Sequence, residues 1–291
     1  MLNTNNNITN FLQYCKTCGF KKRSLEALSI RLNQFNNFVQ TLSIKSINEI
    51  TYEHLLKFVT EYEHCSQSIK KQRVWALHQF YHFLNLNKII DKNIALNIPY
   101  PKIEKKVPQY LTISEFNRIL DYFTLNSNSL IGIRNLILVM MLGYLGLRTS
   151  AIISLNIEDV NLKANTIWVL EKGGRKKMMF IPKIMGKYLS KYIIMLSVKK
   201  GPLFLSKRKK RMSDRTLQNL FRQSADKFGI NKKLHPHLFR HTAATHLNQV
   251  AGVTITQYVL GHARRKNTQQ YTHLNPDIYA AHMKKHPYMN L

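Results

Sequence analysis

The sequence predicts a mainly α-helical protein of two domains, with one small antiparallel β-sheet in the second. Most apolar residues recur near the helical period, and only one segment, near residue 170, alternates as paired strands do. A stretch rich in proline and charge divides the chain near residue 100. At 291 residues the chain is long enough for two ordinary domains, each with its own core.

Residues 1–98 show helical patterns throughout, which predicts a small domain of four or five helices. Ser24 and Thr51 each precede an apolar stripe of helical spacing and are placed to cap those two helices. A third helix is predicted from about Ser68 to Leu84. We assign residues 99–110 as a linker because their prolines cannot continue a helix, and residues 111–291 as the second domain.

The second domain begins with a capping box from Thr112 to Glu115. The apolar run from Leu130 to Leu147 is interrupted by Arg134, Asn135 and three glycines, which predicts a buried helix and not a membrane span. Two of these glycines, Gly143 and Gly146, indicate close packing or a turn just before Arg148.

A β-hairpin is predicted over Asn165 to Pro182, with Gly173 and Gly174 at its turn. Helices are predicted from about Ile184 to Leu196 and around His237. Another helix is predicted between its cap, Ser213, and its stop, Gly229, and a short one from Thr254 to Leu260, which Gly261 ends.

The charge of the chain predicts a polyanionic partner. Lys and Arg number 44 against 15 Asp and Glu, a formal net charge of +29, which opposes folding through self-repulsion. The alternative is a secreted or ribosome-associated basic protein, and secretion is disfavoured because the start of the chain is unlike a secretory signal. Two groups of cations are predicted to contact the DNA backbone, although a solvated helix face is the alternative for the first: Lys70, Lys71 and Arg73, and then Lys207, Arg208, Lys209, Lys210 and Arg211.

Three cysteines do not make a disulfide framework and fit a reducing compartment. Cys15 and Cys18 form a single C-x-x-C pair, and zinc would need two more ligands. We therefore expect ordinary thiols, no metal site and no cofactor.

The last quarter of the chain holds residues suited to cutting a phosphodiester without a metal. His237 and Arg240 lie one helical turn apart, and Gly261-His262 stands nine residues, counted from His262, before Tyr271. Arginine binds phosphate oxygens with a fork of donors, histidine exchanges protons near neutral pH, and a tyrosine hydroxyl can attack phosphorus.

Together with Arg148, this order of residues, Arg…Lys…His-x-x-Arg…Gly-His…Tyr, resembles the tyrosine recombinase (phage integrase) family, with a layout similar to its Xer-type members. The resemblance covers roughly Leu111 to Tyr279, with a looser one before it. It implies a helical core-binding, SAM-like first domain and a tyrosine-recombinase catalytic domain. The implied catalytic residues are Arg148, Lys172, His237, Arg240, His262 and Tyr271.

The resemblance also implies a role for each residue. Tyr271 attacks the scissile phosphate, Arg148, Arg240 and His262 bind its oxygens, His237 is the base, and Lys172 on the hairpin is the general acid. The hairpin is about two residues longer than is typical, so Arg175, Lys176 and Lys177 compete for the acid role. Ala151 stands where family members often carry an acidic residue.

The function implied by the resemblance is site-specific recombination through a 3′-phosphotyrosyl intermediate and a Holliday junction. The implied partners are DNA with inverted-repeat half-sites and three further protomers, as a homotetramer or a heterotetramer with a second recombinase. In such assemblies the C-terminal tail docks on a neighbour. A type IB topoisomerase-like enzyme and a DNA-binding relic without activity are the alternatives. The DNA partner that the resemblance implies is double-stranded, and the implied location is the cytoplasm, at the nucleoid.

Overall fold

The computed structural model describes residues 4–42, 44, 46–62, 64–103, 109–170, 174–222, 225–261 and 283–284, without the side chains of residues 225 and 226. The chain divides into two compact units, Met1–Lys106 and Val107–Leu291. Residues 104–108 of the predicted linker lie outside the described part.

The described residues of the first unit form four α-helices and one short 3₁₀ helix, Ile47–Glu49. The α-helices are α1 (Thr4–Thr17), α2 (Lys22–Gln40), α3 (Tyr52–Thr60) and α4 (Gln67–Leu86). Leu28, Leu32, Phe35 and Val39 form the buried face of α2, at the helical spacing seen in the sequence. The predicted small helical domain is confirmed.

Two of the helix starts in this unit test the predicted caps. Thr51 caps α3 through a capping box, in which its hydroxyl accepts from the His54 N–H and the His54 imidazole accepts from the Thr51 N–H. The predicted Ser24 cap is wrong. The helix α2 begins at Lys22, so Ser24 lies inside its first turn, and Lys21 occupies the N-cap without a side-chain hydrogen bond.

The described residues of the second unit surround a core formed mainly by helices, with a three-stranded antiparallel sheet in the order β1-β2-β3. Its elements are α5 (Ile113–Leu125), α6 (Leu130–Tyr144), α7 (Thr149–Ser154), β1 (Val160–Asn161), β2 (Thr166–Leu170), β3 (Lys176–Phe180), α8 (Lys183–Leu196), α9 (Asp214–Arg222) and α10 (Pro236–Leu260), with 3₁₀ turns at Ile157–Asp159 and Ala225–Phe228. The predicted fold class, mainly α with a small antiparallel sheet, is confirmed.

The α6 helix is the centre of the second unit and is buried nearly all round, as its apolar sequence predicts. Gly143 lets this helix pack directly against the ring of Phe116 in α5, since a Cβ atom at residue 143 would overlap that ring. Arg134, the one basic residue of α6, is buried and donates to the carbonyl of Leu205 at 2.6 Å. Among the described residues, no helix is long and apolar enough to cross a membrane.

The register of the hairpin determines which side chains face the interior. Ile167 and Val169 of β2 are buried while Trp168 and Leu170 are exposed. Val169 is the register partner of Lys177 in β3. Directly paired residues of an antiparallel sheet share a face, so Lys177 lies on the same face of the sheet as buried Val169.

The α10 helix is interrupted once and ends as predicted. Gly252 has φ 74° and ψ 174°, which breaks the helical path between two straight parts. Gly261 has the left-handed conformation, φ 59° and ψ 46°, and its N–H closes the last turn on the carbonyls of Gln257 and Tyr258.

Candidate active site

The structure brings Arg148 and Arg240 together at the end of α10. Arg148 immediately precedes α7, and its Nη2 donates to the carbonyl of Gly261 at 3.0 Å. Arg240 lies near the start of α10, and its two Nη atoms donate to the carbonyls of Gly146 and Leu260. Arg148 and Arg240 are 92 positions apart in the sequence, yet they bind the carbonyls of two adjacent residues, Gly261 and Leu260.

Gly146 allows this close approach. It has φ +58°, and a Cβ atom there would lie 2.5 Å from Leu260 Cδ2 and 3.2 Å from Ala243 Cβ. Only glycine combines that backbone conformation with that space. The prediction that Gly146 provides a turn and close packing just before Arg148 is confirmed.

Both arginines line one pocket between the sheet and the end of α10. Its other lining residues are Leu147, Ser150, Ala151, Val169, Leu170, Met179, Val259 and Leu260. Among the described residues, this lining includes two guanidinium groups and no carboxylate, because Ala151 contributes a methyl group where an acidic residue is usual in the family resembled. A site with this charge favours an anion such as a phosphodiester.

Lys177 is a third cation at the end of α10. Its Nζ donates to the carbonyl of Tyr258 and, at 3.1 Å, to that of Val259, and it lies 4.1 Å from the centroid of the Tyr258 ring. The last carbonyls of a helix have no partner within the helix and carry partial negative charge. Lys177 of β3, Arg148 just before α7 and Arg240 of α10 thus bind the consecutive carbonyls of residues 258–261.

His237 is exposed and occupies the second position of α10, three residues before Arg240. Its ring centroid lies 6.4 Å from that of His235, which precedes the helix. Burial, followed by repulsion from His237, His241 and Lys233, lowers the pKa of His235 below the ordinary 6.5. Burial and then repulsion from His237 and Arg240 also lower the pKa of His241. Both histidines therefore favour the neutral state.

Two further residues of α10 hold the start of the catalytic unit. Thr242 accepts from the Leu111 N–H at 2.8 Å, and the ring of buried His246 bonds the Leu111 carbonyl at 3.0 Å. Both contacts are structural, because they join α10 to the main chain of Leu111.

Three of the six predicted catalytic residues, Lys172, His262 and Tyr271, lie outside the described residues. The same holds for the predicted docking tail, apart from Met283 and Lys284. The structure thus places Arg148, His237 and Arg240, and it brings the two arginines to one pocket, where they bind the adjacent carbonyls of Gly261 and Leu260.

Within the described ranges, no group of three or more His, Cys, Asp or Glu residues is arranged to hold a metal ion. The three cysteines are free thiols, and burial raises the pKa of Cys15 to about 11. A thiol held in its neutral form is a poor metal ligand.

The basic run after α8 forms a tight turn that exposes cations. Leu205 pairs with Arg211 across the turn, and Lys207, Arg208, Lys209 and Lys210 are exposed at its tip. Arg211 differs from these four, because its guanidinium donates to the carbonyls of Ile153 and Leu155 and to the Asn156 side chain. The turn is thereby tied to α7, the helix that follows Arg148.

The α9 helix carries a polar surface that the sequence reasoning missed. Leu217 and Phe221 are buried, whereas Arg215, Gln218 and Arg222 are exposed. Arginine and glutamine are side chains that read base edges in DNA grooves. The sequence does indicate this surface, because Arg215, Gln218 and Arg222 recur at helical spacing on the side opposite Leu217 and Phe221.

For Arg73 the predicted DNA contact is wrong. Its side chain is fully buried in the first unit, where it donates to the carbonyls of Phe58, at 2.9 Å, and of Tyr62. The guanidinium carbon also lies 4.9 Å from the Phe58 ring centroid. From its position in α4, buried Arg73 binds carbonyls at the C-terminal end of α3. Its neighbours in α4 differ, since Lys71 is exposed and Lys70 is half-buried.

We expect Arg73→Met to lower the free energy of unfolding by about 2–5 kcal/mol, because two buried carbonyls lose their donor. Lys71→Met removes the same charge at an exposed position and should change stability by no more than about 0.5 kcal/mol. Urea unfolding of both variants measures this difference. Equal stability of the two, with weakened DNA binding in Arg73→Met alone, would contradict the buried role.

The chain is similar to known proteins over nearly its whole length. The signature of the "Phage integrase family" matches residues 109–277, and that of the "Phage integrase, N-terminal SAM-like domain" matches residues 8–88. A protein named tyrosine recombinase XerC from Bacillus licheniformis is 28% identical over 300 residues, which span 99% of this chain and 98% of the relative.

Two solved structures share the fold. XerH site-specific recombinase bound to its difH substrate has a TM-score of 0.70 at 21% identity, covering 94% of this chain and 83% of that chain. A lambda integrase tetramer bound to a Holliday junction has a TM-score of 0.72 at 16% identity, covering 90% and 78%. Because the phage integrase signature spans more than half of the sequence, the chain belongs to the phage integrase family, and it is a tyrosine-type site-specific recombinase with an Xer-like layout.

Proposed function

We propose that this recombinase exchanges strands between two DNA duplexes through a 3′-phosphotyrosyl intermediate and a Holliday junction. The observation that carries the proposal is that Arg148 and Arg240 line the same pocket. No carboxylate is present among the described residues that line it. Two fixed guanidinium groups are suited to binding the nonbridging oxygens of a phosphodiester and to stabilising charge in its transition state.

The proposed chemistry needs one nucleophile and one base. Tyr271 attacks phosphorus and displaces the 5′ oxygen, so one phosphodiester becomes one phosphotyrosyl ester. A tyrosine hydroxyl has a pKa of about 10 and needs help to lose its proton near neutral pH. We assign this help to His237, which is exposed beside Arg240. His262 binds the same phosphate. Attack by the 5′ hydroxyl of another strand reverses the step and rejoins the DNA.

We assign the general acid to Lys172, which protonates the departing 5′ oxygen. Because the hairpin is long, Lys177 is an alternative candidate for the general acid, but its Nζ binds the carbonyls of Tyr258 and Val259. A cation held at the end of a helix is suited to positioning that helix. Arg175 and Lys176 are exposed on the hairpin and are assigned to phosphate contact.

DNA binding is assigned to both units. In the first, residues 1–98, Lys70 and Lys71 contact the backbone, and residues 99–110 are the linker. In the catalytic unit, residues 111–291, the exposed turn at Lys207–Lys210 binds phosphates and the polar face of α9 reads the half-site. Because the two strands of a site are antiparallel, inverted-repeat half-sites would each bind one protomer.

Assembly follows from the number of strands. Recombination of two duplexes cuts four strands, so we propose four protomers around two sites, with the tail after Asn275 docking on the neighbouring copy. A homotetramer suffices for this geometry, and a second recombinase could supply two of the four positions. We place the reaction on bacterial DNA in the cytoplasm, in line with the bacterial origin of the relative.

Covalent trapping tests the proposal. A duplex nicked near the scissile phosphate loses its 5′-hydroxyl fragment after cleavage, so the protein stays attached to DNA. We expect an adduct that survives denaturing gels, and sequencing of the trapped DNA identifies the site. A protein that binds DNA and forms no adduct on any trapped library would be a binding module, which contradicts the proposal.

A second substrate separates recombinase from topoisomerase. A Holliday junction built from the recovered site should be resolved into recombinant duplexes by the wild-type chain. Relaxation of supercoiled plasmid by single protomers, without junction resolution, would instead support the topoisomerase-like alternative.

A further inference from the structure

The start of α10 is capped by a histidine. His235 is extended, with φ −158° and ψ 159°, and both of its acceptors face the Leu238 N–H. The N–H donates to the His235 carbonyl at 2.9 Å and to the His235 Nδ1 at 3.2 Å, and the second bond is the side-chain cap. Pro236, at the first helical position, has no N–H, so Leu238 supplies one of the few donors that the helix start must satisfy.

The capped turn carries the catalytic pair. His237 and Arg240 both lie in the first five residues of α10. Ser, Thr, Asp and Asn are the usual capping residues, and their acceptor oxygen is present throughout the neutral pH range. An imidazole Nδ1 accepts only when it carries no proton, so this cap depends on the protonation state of His235.

We propose that His235 is a positioning residue for strand cleavage: its neutral ring caps α10, this cap fixes the turn that presents His237 and Arg240, and protonation of the ring releases that turn. The inference rests on the proposed function for its catalytic consequence. The cap itself is a structural property and can be measured without DNA.

The surroundings of His235 favour the neutral ring. The titratable groups that act on it are Lys233, His237 and His241, all of them basic, while Lys232 is paired with Glu115 at 2.6 Å. Burial is the largest cause of its lowered pKa, and the three basic groups add to it.

The lowered pKa of His235 determines the pH range in which the cap is present. A lowered folded-state pKa means that the folded chain binds the proton less readily than the unfolded chain. The cap is therefore intact above the ordinary histidine pKa of 6.5 and is lost as the pH falls through the lowered value. Cleavage should lose the cap's contribution over the same acid range.

Two variants separate capping from titration. In His235→Asn the side-chain oxygen stands near the place of Nδ1 and caps without titrating, while His235→Ala removes the cap. At pH 8 we expect single-turnover cleavage within about twofold of wild type for His235→Asn and about fivefold slower for His235→Ala, which is the effect of losing a typical N-cap. Below pH 6.5 the wild-type rate should fall more steeply than that of His235→Asn.

A spectroscopic readout tests the cap independently of catalysis. In the free full-length chain, the Leu238 amide resonance should shift with pH in wild type, and that shift should be clearly smaller in His235→Asn, which keeps His237 and His241 but lacks the titrating cap. If no covalent adduct forms in any variant, the proposed function fails, and the amide titration still decides the cap. A pH-independent Leu238 amide, or parallel pH profiles of cleavage for wild type and His235→Asn, would overturn the inference.

Discussion

Tyr271→Phe is expected to abolish covalent attachment to DNA while leaving site binding intact. The substitution removes one hydroxyl, the proposed nucleophile, and leaves the ring and every cation of the chain in place. A phenylalanine ring has no oxygen to attack phosphorus, so the proposed ester at residue 271 cannot form. The measurement is adduct formation on a nicked suicide duplex, with a gel-shift titration of the same DNA to measure binding.

Tyr279 and Tyr288 provide matched controls for this prediction. Each lies in the same C-terminal segment, and Phe at either position removes an equal hydroxyl. Neither stands nine residues after His262, so both variants should still form the adduct. Adduct in Tyr271→Phe, or its loss in Tyr279→Phe alone, would reassign the nucleophile.

The second large effect concerns the general acid. Lys172→Ala should slow cleavage by about 10²–10⁴-fold, the range that general acid–base catalysis supplies. A 5′-bridging phosphorothiolate at the scissile position should restore most of the lost rate, because a thiolate leaving group needs no proton. Single-turnover rates on the oxygen and sulfur substrates measure the rescue.

Lys177→Ala is the informative comparison, because Lys177 is bound to the carbonyls of Tyr258 and Val259. Its loss should displace the end of α10 and slow cleavage on both substrates alike, so sulfur should bring no rescue. Rescue of Lys177→Ala together with no rescue of Lys172→Ala would show that the acid lies on β3.

Features that depend on short stretches of sequence could be predicted. The cap at Thr51, the capping box at Thr112, the buried α6 helix and the helix end at Gly261 each follow from residues within one or two helical turns. Arg148, His237 and Arg240 were selected by chemistry and order. Arginine binds phosphate oxygens and histidine exchanges protons, so these residue types predict a phosphate site. The structure places the two arginines at one pocket.

Features that depend on distant partners could not be predicted in this way. Arg73 resembles Lys70 and Lys71 in the sequence, and only the packing of α4 against α3 shows that its guanidinium is buried on the carbonyls of Phe58 and Tyr62. The role of Lys177 likewise depends on the register of the hairpin with Val169 and on the nearby end of α10. The missed face of α9 differs, because its spacing was visible and was passed over.

The contacts at the end of α10 have a consequence for how the site tolerates sequence change. Arg148, Arg240 and Lys177 all bind main-chain carbonyls of residues 258–261. A main-chain carbonyl belongs to every amino acid, so no replacement at Tyr258, Val259 or Leu260 removes the anchoring acceptor itself. One residue inserted or deleted between Gly252 and Gly261 would rotate each carbonyl by about 100°, the angle between neighbouring residues of a helix. Substitutions at residues 258–260 should therefore preserve the positions of Arg148 and Arg240. An insertion or deletion between Gly252 and Gly261 should displace both side chains.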